Sequence, residues 1–457
     1  MISDAIKDEI RAIVGHEWFL DSPEDLVTYS YDGFLREFMP DAVIVPGDKE
    51  EIAGVMKVAN RERINIIPRG AGTNICGSSV AREGGIIIAF HRLNRILEIE
   101  PESMCAVVQP GVVNADFQKA VAAYGLMYPP DPASMFVSTI GGNVALNAGG
   151  PRGVKYGVTR DYLLGLEVVL PSGEIIHTGG KTLKNVSGYN LTQLMCGSEG
   201  TLGIITEVIV RLVPLAPAKA TLQATYRDLD HAATTVSAII GAGIVPTTLE
   251  LMDRTVLDVI SDYGGAQFSD EAQAVLLIEV DGEDILVEAQ GKRIEAFCRE
   301  RGAFQVERAS TPEEADRLWQ ARRTAFGAVA SLRPNCIVED ATVPVKMLPA
   351  IIRKIVEVAD KYDLQIGVLA HAGDGNLHPL IMTDLRDTEE MERVDQALVE
   401  LVDAAIEMGG TLTGEHGIGI AKDRFMTKEF SQASIQLMRG IKRVFDPHNI
   451  LNPGSFL

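Results

Sequence analysis

Two apolar runs, Gln365 to Ala370 and Pro379 to Met382, flank Asp374-Gly375, a dipeptide suited to the tight turn of a β-hairpin. A hairpin imposes a register. With Asp374 and Gly375 as the two turn residues, Gly373 faces Asn376, Ala372 faces Leu377, and His371 faces His378. Side chains directly opposed on one face of an antiparallel pair have Cβ atoms about 5 Å apart, near enough for two imidazoles to share a metal ion. Further on, Gly414-Glu415-His416-Gly417 offers a carboxylate and a third imidazole. An unremarkable cross-strand histidine pair is the plain alternative. The turn that sets the register and the glycines around Glu415-His416 favour a metal. Two imidazoles and one carboxylate leave open positions on a divalent ion, as a catalytic metal requires.

A chain of 457 residues accommodates two or three domains, and with 46% hydrophobic and 23% charged residues it should fold along its length. The net charge of -21 argues against a nucleic-acid partner. Cys76, Cys105, Cys196, Cys298 and Cys336 lie far apart with no Cys-x-x-Cys pair, which indicates neither a disulfide framework nor an iron–sulfur cluster. A cytoplasmic chain is expected, with docking to a membrane through a partner still compatible. The start, Met1-Ile2-Ser3-Asp4, lacks the basic and apolar regions of a signal peptide, and no apolar stretch approaches the ~18 residues of a transmembrane segment.

Up to about residue 215, strands expected over 64–68, 85–90, 96–99 and 106–109 alternate with helices over 49–61 and 114–124. Pro214 and Pro217 break the pattern and mark the expected boundary. Beyond them, strands over 221–226, 248–252 and 274–280 alternate with amphipathic helices over 283–301 and 347–362. That spacing describes an α+β second domain.

Ile64-Asn65-Ile66-Ile67-Pro68-Arg69-Gly70-Ala71-Gly72-Thr73-Asn74 reads as a strand entering a glycine turn, where backbone N–H groups can approach an anion such as a pyrophosphate. It is not a Rossmann fingerprint, because Ile75 stands at the third glycine position. Gly179-Gly180-Lys181-Thr182 fails as a Walker loop at Ile175, and Cys196-Gly197-Ser198-Glu199-Gly200 fails as a nucleophile elbow at Cys196. Further glycine turns recur at Thr139-Ile140-Gly141-Gly142-Asn143, at Asn147-Ala148-Gly149-Gly150, and from Gly197 to Ile204.

Four segments taken together carry a resemblance over nearly the whole chain: Pro68 to Asn74, Gly197 to Ile204, His371 to His378, and Gly414 to Gly419. They resemble the FAD-linked D-2-hydroxy-acid dehydrogenases, the family of the bacterial glycolate oxidase FAD subunit and D-lactate dehydrogenases. The resemblance implies an α+β protein of the vanillyl-alcohol-oxidase (PCMH) type. Its FAD-binding domain, of two α+β subdomains, would span 1–216 with a core from about 38. A substrate and metal domain would span 217–457, its antiparallel sheet covering the flavin and its tail, about 425–457, returning to it.

By the same resemblance, Arg69, Gly70, Ala71, Gly72, Thr73 and Asn74 hold the FAD pyrophosphate. Pro130, Asp131, Ser134, Thr139, Gly142, Asn143 and Gly149 line the ribityl and flavin region, Ile204 meets the adenine end, and Asn452 belongs to the returning tail. Members that bind FAD covalently carry a histidine where this chain has Thr73, so noncovalent FAD is expected.

An alcohol proton with a pKa of roughly 16 is hard to remove unless a metal binds its oxygen. His371, His378 and Glu415 would hold that ion, whether zinc, manganese or iron, and His416 is the expected base. The segment Leu318 to Arg323 resembles the one that binds the substrate carboxylate, with Arg322 preferred over Arg323. Members acting on 2-hydroxyglutarate carry a further basic residue shortly before the proline matching Pro344, where this chain reads Val338-Glu339-Asp340. A short acid, D-lactate or glycolate, is therefore the expected substrate, with a D-2-hydroxyglutarate dehydrogenase as the alternative. Electrons would pass to a separate acceptor: an iron–sulfur subunit, an electron-transferring flavoprotein, a quinone or oxygen. A metal-dependent hydrolase and a noncatalytic flavoprotein subunit are the rival classes.

Overall fold

Ile86, Ile87 and Ile88 are all fully buried, as a strand covered on both faces requires. In the computed structural model, which describes residues 2–263 and 266–455, Ile86–Ala89 is one of the two inner strands of a four-stranded sheet. Ala42–Ile44 and β1 (Ile66–Arg69) flank it in parallel. The connecting helix Lys49–Glu62 is capped by Asp48, which accepts from Glu51 N–H at 2.8 Å, and it lays Ile52, Val55, Met56 and Ala59 into the core. The short helix α1 (Ile140–Leu146) follows a loop closed by its N-cap Thr139. An antiparallel five-stranded sheet has β2 (Ile204–Arg211) at its centre, in the order 96–100, 105–108, β2, 163–169, 175–179. These two sheets with their helices form the body of the first half of the chain, which also carries a small two-stranded pair.

The chain divides into two compact units: Met1–Gly150, Val158–Leu215 and Glu415–Leu457 in the first, Pro151–Gly157 and Ala216–Gly414 in the second. Val213–Pro214 still pairs with Leu126–Met127 in the first unit. The last segment rejoins that unit through a bridge between Leu451 and Ile66.

The second unit is built on an antiparallel sheet running 303–308, 218–226, 274–282, β3 (Thr248–Asp253), then β4 (Gln365–His371), β5 (Asn376–Thr383) and 335–338. Between β3 and β4 in sequence lies α2 (Pro312–Leu332), capped by Thr311 with Pro312 in its first turn. The amphipathic helices Asp284–Glu300 and Leu348–Tyr362 bury Val287, Ile294, Ile351, Ile352 and Ile355 in one core with the sheet. The expected strands and helices of both halves are present with ends shifted by a few residues.

The hairpin register differs from the expected one. β4 and β5 pair His371 with Asn376, Ala370 with Leu377 and Leu369 with His378, so the loop holds four residues, 372–375, and not two. The Asp374 N–H donates to the His371 carbonyl at 3.3 Å, the Gly373 N–H donates to Leu249 O at 3.1 Å, and Gly375 takes a φ of +81°. A β-turn from His371 to Asp374 followed by a left-handed glycine satisfies these backbone groups better than a two-residue loop. The slip moves the facing pair by an even number of residues, so His371 and His378 stay on one face as diagonal neighbours.

Among the described residues no helix is long and apolar enough to cross a membrane. The five cysteines are free thiols, four of them buried.

Candidate functional site

In the first unit β1 delivers Arg69 to the mouth of the glycine loop. Its guanidinium donates to Ser79 O at 3.2 Å and stands 5.7 Å from the Tyr29 ring centroid. Burial lowers its pKa, while Asp32 nearby acts in the opposite sense. Asn74 organises the rest: its Oδ1 accepts from Gly77 N–H (3.0 Å) and Ser78 N–H (3.1 Å), and its Nδ2 donates to Ser79 Oγ at 2.7 Å. At Gly72, φ is +71° and a Cβ would strike the Arg69 guanidinium. A Cβ on Gly70 would come 2.5 Å from Thr139 Oγ1, so the loop and the start of α1 pack without side chains between them.

Thr139 caps Gly142 N–H at 3.3 Å, and next to it Ser138 Oγ and Asn143 Nδ2 are buried without a hydrogen-bond partner. Buried polar atoms left unpaired cost free energy, so this place fits a polar ligand. Pro130 O accepts from Asn114 Nδ2 at 3.2 Å and Gln118 Nε2 at 2.9 Å. Ser134 O takes the N–H groups of Val137 and Ser138, both at 2.8 Å. Asp131 reaches the glycine pair too, because a Cβ on Gly150 would strike its carbonyl. Ile204 stands apart from these residues: its side chain lies wholly in the hydrophobic core with Val169 and Ile52. Asn452 Nδ2 donates to Ser78 O and Glu199 O, both at 2.7 Å, which ties the tail to two of the glycine loops.

Glu415 and His416 also belong to the first unit. A Cβ on Gly149 would lie 2.6 Å from Glu415 Oε2, so that carboxylate sits against a residue expected to line the flavin. The turn behind it is held by Glu199, which accepts from Ile418 N–H at 2.8 Å and Gly419 N–H at 2.9 Å. Burial pushes the Glu199 carboxyl up to about 7 against those bonds. Sequence reasoning took Glu199 as part of a failed nucleophile elbow and of the Gly197 to Ile204 segment, without giving its carboxylate a role. Its left-handed φ of +52° between two glycines belongs to a loop that turns a carboxylate inward.

In the second unit His371 and His378 are both buried, with ring centroids 5.1 Å apart and planes at 85°. His371 Nδ1 meets Glu250 Oε1 at 2.7 Å, and His378 Nδ1 meets the Glu339 carbonyl oxygen at 3.3 Å. An acceptor at Nδ1 favours the tautomer with the ring proton there, and in a neutral imidazole that leaves Nε2 as the nitrogen able to bind a metal. Beside them Asn376 Oδ1 and Thr342 Oγ1 are buried without a hydrogen-bond partner. A Cβ on Gly414 would lie 2.8 Å from Asn376 Nδ2, and the Gly414 N–H donates to Asp340 Oδ2 at 2.8 Å. The residue after Gly414 is Glu415.

Arg322 projects from α2 to Glu250, with Nε 2.7 Å from Oε2, while Arg323 faces outward to Asp316. Glu250 is fully buried; burial raises its pKa, but His371 and Arg322 beside it more than offset this and leave it lowered. Sequence reasoning passed over Glu250. The signal was a lone acidic residue among apolar neighbours in Thr248-Leu249-Glu250-Leu251-Met252.

The chain matches the family described as FAD linked oxidases, C-terminal domain, over residues 215–456, and the FAD binding domain family over residues 40–179. The chain is an FAD-linked oxidase. It is 50% identical to the glycolate oxidase subunit GlcD of Bacillus subtilis, over 100% of this chain and 97% of that protein. It is 36% identical to the Escherichia coli subunit of the same name (95% and 87% covered), and 36% identical to a D-lactate dehydrogenase of Anaerostipes hadrus (97% and 94% covered). Among solved structures, p-cresol methylhydroxylase with substrate bound superposes with a TM-score of 0.81 at 19% identity, over 99% of this chain and 96% of that one. That likeness shows the fold, the PCMH-type α+β architecture. In this FAD-linked oxidase the unpaired Ser138 and Asn143 and the side-chain-free contacts of Gly70 and Gly72 suit the cofactor.

Proposed function

We propose that this FAD-linked oxidase dehydrogenates a short D-2-hydroxy acid, glycolate or D-lactate, to the 2-oxo acid, with a divalent metal held by His371, His378 and Glu415. The observation that carries the reading is the buried imidazole pair whose outer nitrogens are occupied by Glu250 and the Glu339 carbonyl. The names of the relatives, glycolate oxidase subunit and D-lactate dehydrogenase, point to the same substrate class. When bound, FAD supplies the acceptor for the C2 hydride, and a zinc, manganese or iron ion supplies the positive charge that acidifies the substrate hydroxyl.

The protein's own residues do the rest. Arg322 receives the substrate carboxylate through its guanidinium fork. His416 takes the proton from O2, since imidazole changes charge near neutral pH. Arg69 to Asn74 hold the FAD pyrophosphate on backbone N–H groups; Pro130, Asp131, Ser134, Thr139, Gly142, Asn143 and Gly149 line the ribityl and flavin region, Ile204 meets the adenine end, and Asn452 belongs to the tail that returns to the flavin. Thr73 lacks the imidazole through which the covalent members link their flavin, so the FAD is dissociable.

Glu339 and Asp340 are buried next to His378, and Asp340 Oδ2 already accepts from Thr413 and Gly414. A second substrate carboxylate entering there would be desolvated without a cation, which disfavours D-2-hydroxyglutarate. Reduced flavin passes its electrons to a separate acceptor, an iron–sulfur subunit, an electron-transferring flavoprotein or a quinone, because the chain carries no second redox motif. A hydrolase with the same donors would have no use for the FAD binding domain matched over residues 40–179.

The test is anaerobic bleaching of the purified yellow protein by a panel of 2-hydroxy acids, with metal analysis of the same sample. Glycolate or D-lactate should reduce the flavin much faster than L-lactate or D-2-hydroxyglutarate, and one metal should be present per chain. Faster reduction by the diacid would overturn the substrate reading, and the absence of stoichiometric metal would overturn the metal reading.

A further inference from the structure

We propose that Glu250 is the positioning residue of this site: one buried carboxylate that fixes both the tautomer of His371 and the attitude of Arg322. The inference rests on the metal and substrate roles given above to those two residues. Glu250 lies on β3 directly opposite His371 in the ladder to β4, between the buried Leu249 and Leu251. A carboxylate in such surroundings is tolerated only when both oxygens are engaged. Both are: Oε1 meets His371 Nδ1 at 2.7 Å, and Oε2 meets Arg322 Nε at 2.7 Å.

Each contact has a chemical consequence. Accepting at Nδ1 keeps the His371 proton away from Nε2, so the imidazole presents its lone pair to an ion without a tautomer change. Engaging Arg322 through Nε turns the Nη1 and Nη2 edge, the edge that matches a carboxylate in two parallel bonds, toward the substrate. A 2-hydroxy acid carries its carboxylate and its hydroxyl on adjacent carbons. The arginine on α2 and the imidazole on β4 must therefore keep a fixed separation, and Glu250 touches both.

Glu250→Gln keeps the shape and removes one of the two acceptors. The amide oxygen can serve Arg322 or His371, but not both. If the amide NH2 faces His371, Nδ1 must become the acceptor and the ring proton moves to Nε2, where it blocks metal binding. The experiment uses the FAD-loaded chain, stripped of metal and titrated with zinc against a competing chelator, alongside KM and kcat for D-lactate and glycolate. Zinc affinity should fall about 10- to 100-fold in the Gln variant with FAD content unchanged. KM should rise roughly tenfold or more, and Arg322→Ala should add little to KM in the Glu250→Gln background, because the two changes act through one contact.

Wild-type zinc affinity together with wild-type KM in the variant would overturn the proposal, as would full additivity with Arg322→Ala. If the Gln variant does not fold, Glu250→Asp serves. It keeps the charge but reaches one partner only, so zinc affinity or KM should still move, and no change in either would again overturn the proposal. A wild-type protein that binds no zinc, manganese or iron would overturn the metal reading itself, a result distinct from a metal-binding wild type with an indifferent Glu250.

Discussion

The loop from Arg69 to Asn74 and the cluster of Glu250, Arg322 and His371 solve the same problem, holding a charged ligand, by different means. The loop offers backbone and is shaped by what is missing: Gly70 and Gly72 leave no room for a Cβ, and Asn74 folds the chain back on its own N–H groups. The cluster offers side chains from β3, α2 and β4, brought together by strand register and helix packing. A loop of this kind depends on contiguous residues. The cluster depends on the whole sheet being in register, and so the two should fail differently.

The largest contrast should come from the histidines. His371→Ala or His378→Ala should lower the rate of flavin reduction by about 10³-fold or more, since a metal contributes several kcal/mol to deprotonating an alcohol. FAD content should be unchanged, because neither residue belongs to the unit that carries the glycine loop. Stopped-flow reduction and flavin absorbance on one sample measure both quantities. Joint loss of colour and activity would show that cradle and cluster are not separable.

Next in size is the arginine pair on α2. Arg322→Ala should lower kcat/KM by about 10- to 100-fold, largely through KM, while Arg323→Ala, whose partner is the exposed Asp316, should change it less than twofold. Equal effects would mean that the carboxylate binds elsewhere.

This contrast also accounts for how far the sequence could be read. The glycine loop, its asparagine and the histidine hairpin are short-range patterns, visible without knowledge of what packs on them. The hairpin loop length was missed because the bonds that open it to four residues include one from Gly373 to Leu249, more than a hundred positions away. Glu250 was missed for the same reason: its meaning lies in partners on two other elements. Arg322 could be preferred over its neighbour only by resemblance, since helical spacing alone does not say which of two adjacent arginines faces the sheet.

A smaller effect is expected in the cradle. Gly72→Ala places a Cβ against the Arg69 guanidinium at a φ of +71°. The left-handed conformation costs a side-chain-bearing residue about 1–2 kcal/mol, so FAD affinity should fall by roughly one order of magnitude while zinc binding, which rests on His371, His378 and Glu415 and on no residue of this loop, is unchanged. Fluorescence of released FAD on dilution measures the first and chelator competition the second. Unchanged FAD affinity would remove Gly72 from the cradle.

The smallest effect separates the units by pH. Each has a buried carboxyl whose pKa burial raises to about 7, Glu199 in the first and Asp253 in the second. A folded-state pKa above the unfolded value means the folded chain holds the proton more tightly. The associated stability is fully present below the unfolded carboxyl pKa near 4 and is lost as pH rises through about 7. Asp253 is the N-cap of the helix Arg254–Asp262 and accepts from Val256 N–H at 3.0 Å. Asparagine caps equally well and does not ionise, so Asp253→Asn should flatten the pH profile and raise Tm at pH 8 by roughly 2–4 °C relative to wild type. Glu199 accepts two backbone N–H groups, from Ile418 and Gly419, on separate oxygens, and glutamine can accept only one of them. Glu199→Gln should therefore flatten the profile in the same window without raising Tm, since the amide that removes the ionisation also leaves one N–H unpaired. Thermal melts from pH 5 to 8 distinguish the cases, and a gain in Tm from Glu199→Gln equal to that from Asp253→Asn would mean that the two N–H bonds contribute nothing to holding the Gly417 turn.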